Sequence, residues 1–525
     1  MQLNKVSLAE TRAFSPFFLD YIQQNPTLKP FYHRFPLPEN FKDQIVEKAG
    51  SFPLQKRKTL TDTIKKQYDS VPVAPAVHAN IDLLRDEKTF TVTTGHQLNI
   101  FTGPLYFIFK IVTVINTCKR LKAEYPDYNF IPVYWMASED HDYDEIKYFR
   151  LYGKKYVWNT NQSGAVGRFL TDGLNALTNE LPGDTKIFRE AYTKHQKLSP
   201  AVRHYVNALF GSDGVVVLDS DERVFKAQFS DVMRQDMLFG TNKKIVDQTN
   251  SALESLGYKT QIFCRDINFF YLTDGLRSRI ERSDDRFSVI DTDLSFSPKE
   301  LEGLINEEPE KFSPNVILRP LYQEMILPNL AYVGGPAEVI YWLQLKGVFD
   351  QFSIPFPILM PRNFGLVLDH EINRKFSKTG LDYKDLFEDK NYLFNHWVLK
   401  HSPRNLTVGP ERTEIAKIFE ALKQRAEAVD VTLSPFVGAE GKRGMNSLEK
   451  IERKLLRAEK RLHTDKLRQI EVVKDTLFPN GSLQERTDNF LNFYQQDSSF
   501  IQRLLEKFDP FDFAFHILSY TSPDH

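Results

Sequence analysis

From Thr89 onward the chain repeats one unit: a short apolar run, closed by polar or glycine-bearing sequence and followed by a helical stretch. This alternation is the mark of an α/β protein whose parallel sheet is covered by helices. Core strands are expected at residues 90–94, 131–137, 215–219 and 358–361, each ending in polar or glycine-containing sequence. In open sheets of this kind ligands bind beyond the carboxyl ends of the strands, so those endings are where chemistry is sought.

A chain of 525 residues exceeds what one hydrophobic core holds, so at least two packed units are expected. Residues 76–365 form the core domain, and residues 1–75, rich in proline and aromatics, are expected to pack on it. Two stretches, near 150–210 and 240–315, interrupt the repeat and read as inserted connecting subdomains. In the second, Asp274-Gly275 between strand-like flanks marks a hairpin. Ser297-Pro298-Lys299-Glu300 marks a capping box that opens a helix.

Residues 366–480 shift to long amphipathic helices. Ile415, Leu422 and Val429 recur at sevens, with Phe419, Ala426 and Leu433 four residues behind each. That is the seam of a coiled coil. Ser434-Pro435 is expected to break this helix and residues 438–444 to form a glycine-containing link, after which Leu448, Leu455 and Leu462 repeat at seven again. Two such helices specify an antiparallel hairpin arm. A lone hairpin leaves part of its apolar stripe in water, so a homodimer through the coiled coil is expected. Leu477-Phe478-Pro479-Asn480-Gly481 stops the arm, and residues 481–525 are expected to return to the core. Lys450, Arg453, Lys454, Arg457, Lys460 and Arg461 are interleaved with Glu449, Glu452 and Glu459, as on a solvated face.

A formal net charge of -1 supplies no global pull toward nucleic acid or an anionic membrane, which favours a small-molecule partner. No run approaches the length of a membrane span, and the start Met-Gln-Leu-Asn-Lys lacks the features of a signal peptide, so the expected location is cytoplasmic. Cys118 and Cys264 are too few for a disulfide framework or a cysteine-rich zinc site.

Three clusters carry the chemistry. The first runs Thr93-Thr94-Gly95-His96-Gln97 and then Phe101-Thr102-Gly103-Pro104-Leu105-Tyr106, a strand leading to a helix. Gly95 and Gly103 suit close backbone approach, while Thr102 and Pro104 suit a helix start whose free N–H groups hold a phosphate or carboxylate. His96, Gln97, Tyr106 and Lys110 are candidate side-chain contacts. The second cluster, Ser138-Glu139-Asp140-His141-Asp142-Tyr143-Asp144-Glu145, packs carboxylates directly after an apolar strand. Glu139, Asp140 and His141, with His96, are the candidate catalytic residues: such carboxylates hold Mg²⁺ against phosphate or act as a base on an amine. The third cluster offers Asn315, Arg319 and Gln323, then Gly334, Gly335 and Glu338 ahead of a helix. The Arg319 guanidinium is suited to a substrate carboxylate or, alternatively, to a structural pairing with Glu324.

Taken in order, Thr94-Gly95-His96-Gln97 with Phe101-Thr102-Gly103-Pro104-Leu105-Tyr106, Trp135-Met136-Ala137-Ser138-Glu139-Asp140-His141-Asp142, Ser313-Pro314-Asn315-Val316-Ile317-Leu318-Arg319-Pro320 and Tyr332-Val333-Gly334-Gly335-Pro336 resemble the bacillithiol biosynthesis cysteine-adding enzyme family. Leu477-Phe478-Pro479-Asn480-Gly481 with Leu483-Gln484-Glu485-Arg486 is similar to the same family. The resemblance implies a Rossmann-like parallel-sheet core with inserted connecting subdomains, an α-helical antiparallel coiled-coil domain, and a ligase that adds cysteine to glucosaminyl-malate through an amide bond. A carboxylate is a poor electrophile, so ATP and Mg²⁺ are expected on chemical grounds as its activators. The cysteine count does not support zinc, and the residues name no metal site. Lys375-Phe376-Ser377-Lys378-Thr379 invites comparison with the nucleotide loop of class I synthetases, but Thr379-Gly380 reads as an ordinary helix stop. The alternatives are a nucleotidyltransferase-like enzyme acting on another metabolite and a nucleotide-binding coiled-coil scaffold.

Overall fold

Five strands make the sheet that the alternation specifies: β1 (Thr89–His96), β2 (Asn129–Met136), β3 (Val216–Asp219), β4 (Asn329–Gly334) and β5 (Ile358–Pro361). The structure, a computed structural model, describes residues 1–521. All neighbours pair in parallel, in the order β5-β4-β1-β2-β3. The chain therefore builds outward from β1 through β2 to β3, then returns to the other side of β1 to lay down β4 and β5. The strand order reverses between β1 and β4, and at such a point the loops diverge and leave a crevice.

The apolar residues of β1, Phe90 and Val92, pack with Leu330, Ala331 and Val333 of β4, Ile358 and Met360 of β5, and Val114, Cys118 and Leu121 of helix α1 (Tyr106–Glu124). The alternate positions of β1 are threonines, buried yet satisfied: the Thr91 and Thr93 hydroxyls donate to Asn329 Oδ1 at 3.1 and 2.8 Å. Sequence reading placed no strand at β4. Its apolar run, Leu330-Ala331-Tyr332-Val333 between Asn329 and Gly334, carries one β-branched residue, and it lies between β1 and β5.

The inserts have their own structure. Residues after β2 form an antiparallel pair, Tyr148–Leu151 with Lys154–Val157, and then helices Leu174–Glu180, Lys186–Lys194 and Leu198–Phe210. Between β3 and β4 lies a five-stranded antiparallel sheet whose hairpin pairs Thr273 with Leu276 around Asp274-Gly275, with Gly275 supplying a positive φ of 76°. Ser297 and Glu300 close the expected capping box. In the N-terminal segment the buried Arg57 donates to the carbonyls of Leu84, Glu87 and Thr89, and Lys48 to that of Glu324.

The residues divide into two compact units, one of Leu3–Leu366 with Ser482–His516, the other of Met1–Gln2, Val367–Gly481 and the chain from Ile517. In the second unit Leu393, Trp397, Val398, Leu406, Leu467 and Ile470 form a core. The arm pairs α2 (Gly409–Val429) with α3 (Ser434–Leu462). Here the structure corrects the sequence reading. The turn lies at Asp430–Leu433, and residues 438–444 are helical throughout. Ser434-Pro435 starts a helix, with proline in the first turn where its missing N–H costs nothing. Gly441 and Gly444 form a notch for Phe419, since a Cβ on them would sit 3.1 and 3.2 Å from its ring. Among the described residues no helix is long and apolar enough to cross a membrane.

Candidate functional site

The crevice between β1 and β4 is a cleft of about 330 Å³ at the carboxyl ends of both strands. From the end of β1 come Gly95, His96 and Gln97; α1 adds Tyr106 and Lys110; β4 and the turn after it add Tyr332, Gly335 and Glu338. Arg319 enters from the helix Arg319–Ile326, Arg362 follows β5, and Arg486 comes from the C-terminal segment of the same unit.

The site is built around one carboxylate. Glu338 accepts from Lys110 Nζ at 2.6 Å, Tyr332 Oη at 2.6 Å and the Gly335 amide at 2.8 Å. Burial acts to raise its carboxyl, but Lys110 and these hydrogen bonds outweigh that and hold it below the usual range. Lys110 also donates to the Gly95 carbonyl at 2.9 Å, which ties α1 to the end of β1. Gly95 leaves room for Arg319: a Cβ there would lie 3.2 Å from Arg319 Nη1 and Tyr332 Oη. Arg319 donates to Gln323 Oε1 at 3.2 Å and lies beside the Tyr332 ring. Arg362 makes a buried bidentate pair with Glu485, at 2.6 and 3.0 Å.

What remains unpaired is more informative. His96 Nε2, Arg319 Nη2 and Arg362 Nε are all shielded from solvent and lack a hydrogen-bond partner. Buried polar atoms are rarely left so, and three on one cleft mark a place where a ligand supplies acceptors. Burial, helped by Lys110 and Arg362, pushes His96 down to about 3, so its ring is neutral at physiological pH. Burial pushes Tyr106 up to about 12, leaving a protonated phenol. Four cations, Lys110, Arg319, Arg362 and Arg486, line the cleft; Glu338 balances Lys110 and Glu485 balances Arg362, which leaves the charges of Arg319 and Arg486 in excess.

The structure brings together Gly95, His96, Gln97, Tyr106, Lys110, Arg319, Gly335 and Glu338. Asp140 adjoins them through Gln97, whose Nε2 donates to its Oδ2 at 2.9 Å. His141 Nδ1 accepts from Arg277 of the hairpin at 2.7 Å, a residue that sequence reasoning did not single out. Glu139 lies apart in an internal network, accepting from the buried Lys226 and from Ser220 Oγ. Ser138 donates to the Asp219 carboxylate. Gln323 stands behind Arg319, and Asn315 bonds to Asn268.

Thr102, Gly103 and Gly334 do not line the cleft. Gly103, at φ +63°, is pressed against Asn99, and the carbonyls of Phe101 and Gly103 accept from Asn489 Nδ2 at 2.7 and 2.6 Å. The Leu105 amide donates to the Asp488 carbonyl at 2.7 Å, so this end of the helix is closed by protein. Gly334 takes the Arg362 amide on its carbonyl. Sequence reasoning missed Arg362, Tyr332, Tyr341 and Arg486. Arg362 directly follows β5, so its place at a strand end was the available signal.

Among the described residues no three His, Cys, Asp or Glu side chains converge in a way that would hold a metal ion. Comparison with known proteins accounts for nearly the whole chain. A family model for the N-terminal Rossmann-like domain of bacillithiol biosynthesis BshC matches residues 1–363, and one for its C-terminal coiled-coil domain matches residues 365–520. Relatives named "Putative cysteine ligase BshC" from Flavobacterium psychrophilum and Flavobacterium johnsoniae are 41% and 40% identical, each covering 99% of this chain and 100% of its own. One of the same name from Salinibacter ruber is 31% identical, over 93% of this chain and 92% of its own.

Proposed function

The chain belongs to the bacillithiol biosynthesis BshC family, and from that membership we propose that it is a ligase that joins the cysteine carboxyl to the amine of glucosaminyl-malate as an amide. The observation that carries the reading is the cationic cleft with its unpaired Arg319 and Arg362 N–H groups and unpaired His96 ring nitrogen. A malyl group brings two carboxylates. Arg319 and Arg362 offer N–H groups for them, and Arg486 adds a third positive charge. His96, neutral and donating from Nε2 in the tautomer that fits an acceptor, and the Tyr106 phenol suit oxygen atoms without changing their charge. Lys110, bound to Glu338 and the Gly95 carbonyl, fixes the cleft wall.

Forming the amide requires the cysteine carboxyl to leave its carboxylate state, and phosphate supplied from ATP with Mg²⁺ is the chemically expected activator. The cleft's cations fit phosphate oxygens as well as carboxylates. With no cluster of acidic or histidine ligands among the described residues, Mg²⁺ would be held chiefly by phosphate. We further propose that the protein is cytoplasmic and that its arm pairs two copies. Leu422, Ile451, Leu455 and Leu462 of the seam are 40–64% exposed within one chain, which supports a second copy covering them.

Purified protein incubated with cysteine, glucosaminyl-malate and each nucleoside triphosphate in turn, followed by mass detection, tests the reading. A product heavier than glucosaminyl-malate by cysteine less one water is expected. Its absence with every nucleotide, while glucosaminyl-malate binds, would assign the protein another reaction.

A further inference from the structure

Both oxygens of Asp140 are engaged. Its Oδ1 accepts the backbone N–H groups of His141 at 2.7 Å and Asp142 at 3.3 Å, and its Oδ2 accepts from Gln97 Nε2 at 2.9 Å. Arg277 Nη1 stands 3.9 Å from Oδ1. The guanidinium is itself fixed, donating to Ser313 Oγ, the Pro314 carbonyl and His141 Nδ1, and lying 3.9 Å from the centre of the Phe270 ring. Burial acts to raise the Asp140 carboxyl, but the hydrogen bonds from His141 and Gln97 and the charge of Arg277 hold it well below the usual carboxylate range.

An ionised carboxylate only accepts. The end of the Gln97 side chain that meets Asp140 must therefore be its NH₂, which leaves Oε1 as the other end. Gln97 lines the cleft, and among the described residues its Oε1 receives no protein donor. Around it Lys110, Arg319, Arg362 and Arg486 only donate, and the Glu338 oxygens are engaged by Lys110, Tyr332 and Gly335. A ligand's carboxylates are served by the cations. The Tyr106 and Tyr341 hydroxyls and the neutral His96 ring can each turn a donor to a ligand, so for a group with N–H or O–H to donate, Gln97 Oε1 is the side-chain oxygen in the lining that its partner fixes as an acceptor.

We infer that Asp140 is a positioning residue that locks the Gln97 amide, and that Gln97 Oε1 is the acceptor that reads the amine of the substrate. This rests on the ligase reading above, which supplies an amine-bearing ligand for the same cleft. Arg277 carries the dependence outward, since a residue of the inserted hairpin holds the carboxylate that holds the reading group.

Calorimetric titration of the full chain with glucosaminyl-malate, and with its analogue in which hydrogen replaces the amine, tests this. The wild type is expected to prefer the amine by about tenfold, the worth of one charge-assisted hydrogen bond. In Asp140→Asn the side-chain oxygen stays on the two backbone N–H groups, so its NH₂ meets Gln97, which turns Oε1 away from the cleft. That variant and Gln97→Met are each expected to bring the preference within about twofold while binding the analogue as the wild type does. Gln97→Met leaves Asp140 untouched, so a folding defect in one variant leaves the other to decide. A preference that stays near tenfold in a folded variant places the acceptor elsewhere and overturns the inference. So does an analogue affinity that falls as far as that of the amine, which makes the pair structural. Wild-type protein that binds both ligands equally overturns this inference alone; one that binds neither overturns the ligase reading and this with it.

Discussion

Replacing Lys226 by Met should cost the unit built on the parallel sheet about 3–5 kcal/mol, because it removes one member of a buried ion pair and leaves the other charged. The Lys226 side chain is fully buried and that of Glu139 is 10% exposed, so water cannot take over the lost contact. Glu139 would retain a hydrogen bond from Ser220 Oγ at 3.1 Å, and the Phe312 carbonyl would lose the Lys226 donor. The pH dependence has a definite sign. Burial already raises the Glu139 carboxyl against the pull of Lys226, and without Lys226 it rises further above the ordinary glutamate value of 4.5. The folded state then binds more protons than the unfolded one, so stability falls as pH rises through that window and recovers as pH falls toward 4.5. The gap between variant and wild type is therefore expected to narrow between about pH 7 and about pH 5. Urea unfolding followed by tryptophan fluorescence measures both effects, and adding Glu139→Gln to the variant should restore most of the loss. A cost below about 1 kcal/mol, or a double variant as unstable as the single one, would refute the reasoning.

Gly103→Val is expected to destabilise the protein by about 2–4 kcal/mol, through a β-branched residue at positive φ and a Cβ 2.6 Å from that of Asn99. Thermal melting reads the loss, and the affinity of the folded fraction for glucosaminyl-malate should be unchanged. Gly441→Leu overfills the Phe419 notch and should cost the arm about 1–3 kcal/mol, visible as an earlier helical transition by circular dichroism. Leu455→Glu with Leu462→Glu should turn a dimer into a monomer in sedimentation; wild-type protein that is monomeric at micromolar concentration would end the pairing proposal.

The alternation from Thr89 made most of the parallel sheet legible because β1 and β3 are dense in β-branched residues, β2 in β-branched and aromatic ones, and β5 closes an apolar stretch. β4 was not legible: Leu330-Ala331-Tyr332-Val333 has a single β-branched residue, and its place between β1 and β5 shows only in the fold. The glycines at 438–444 suggested a link for a similar reason. Gly441 and Gly444 instead let the helix lie close against Phe419, distant in sequence. Within the site, position at a strand end drew attention to Gly95, His96 and Gln97, and a glycine-bearing loop ahead of a helix to Glu338, all of which line the cleft. It could not separate Glu139 from Asp140, adjacent carboxylates of which one turns to Lys226 and the other to Gln97. Lys226 and Arg277 lie far along the chain, and nothing near either one announces a carboxylate. Arg486 entered through a resemblance in its segment, which did not reveal that it lines the cleft.

The central claim is that the cleft between β1 and β4 holds the anionic substrate, and calorimetry of glucosaminyl-malate with wild type, Arg319→Met and Arg486→Met tests it most directly. Each substitution removes one positive charge from the cleft lining, one half-buried beside Tyr332 and one exposed. Arg319→Met should weaken binding at least about tenfold and Arg486→Met by a smaller factor, since an exposed charge is screened by solvent. Folded variants that both bind as tightly as the wild type would contradict the claim and place the substrate elsewhere.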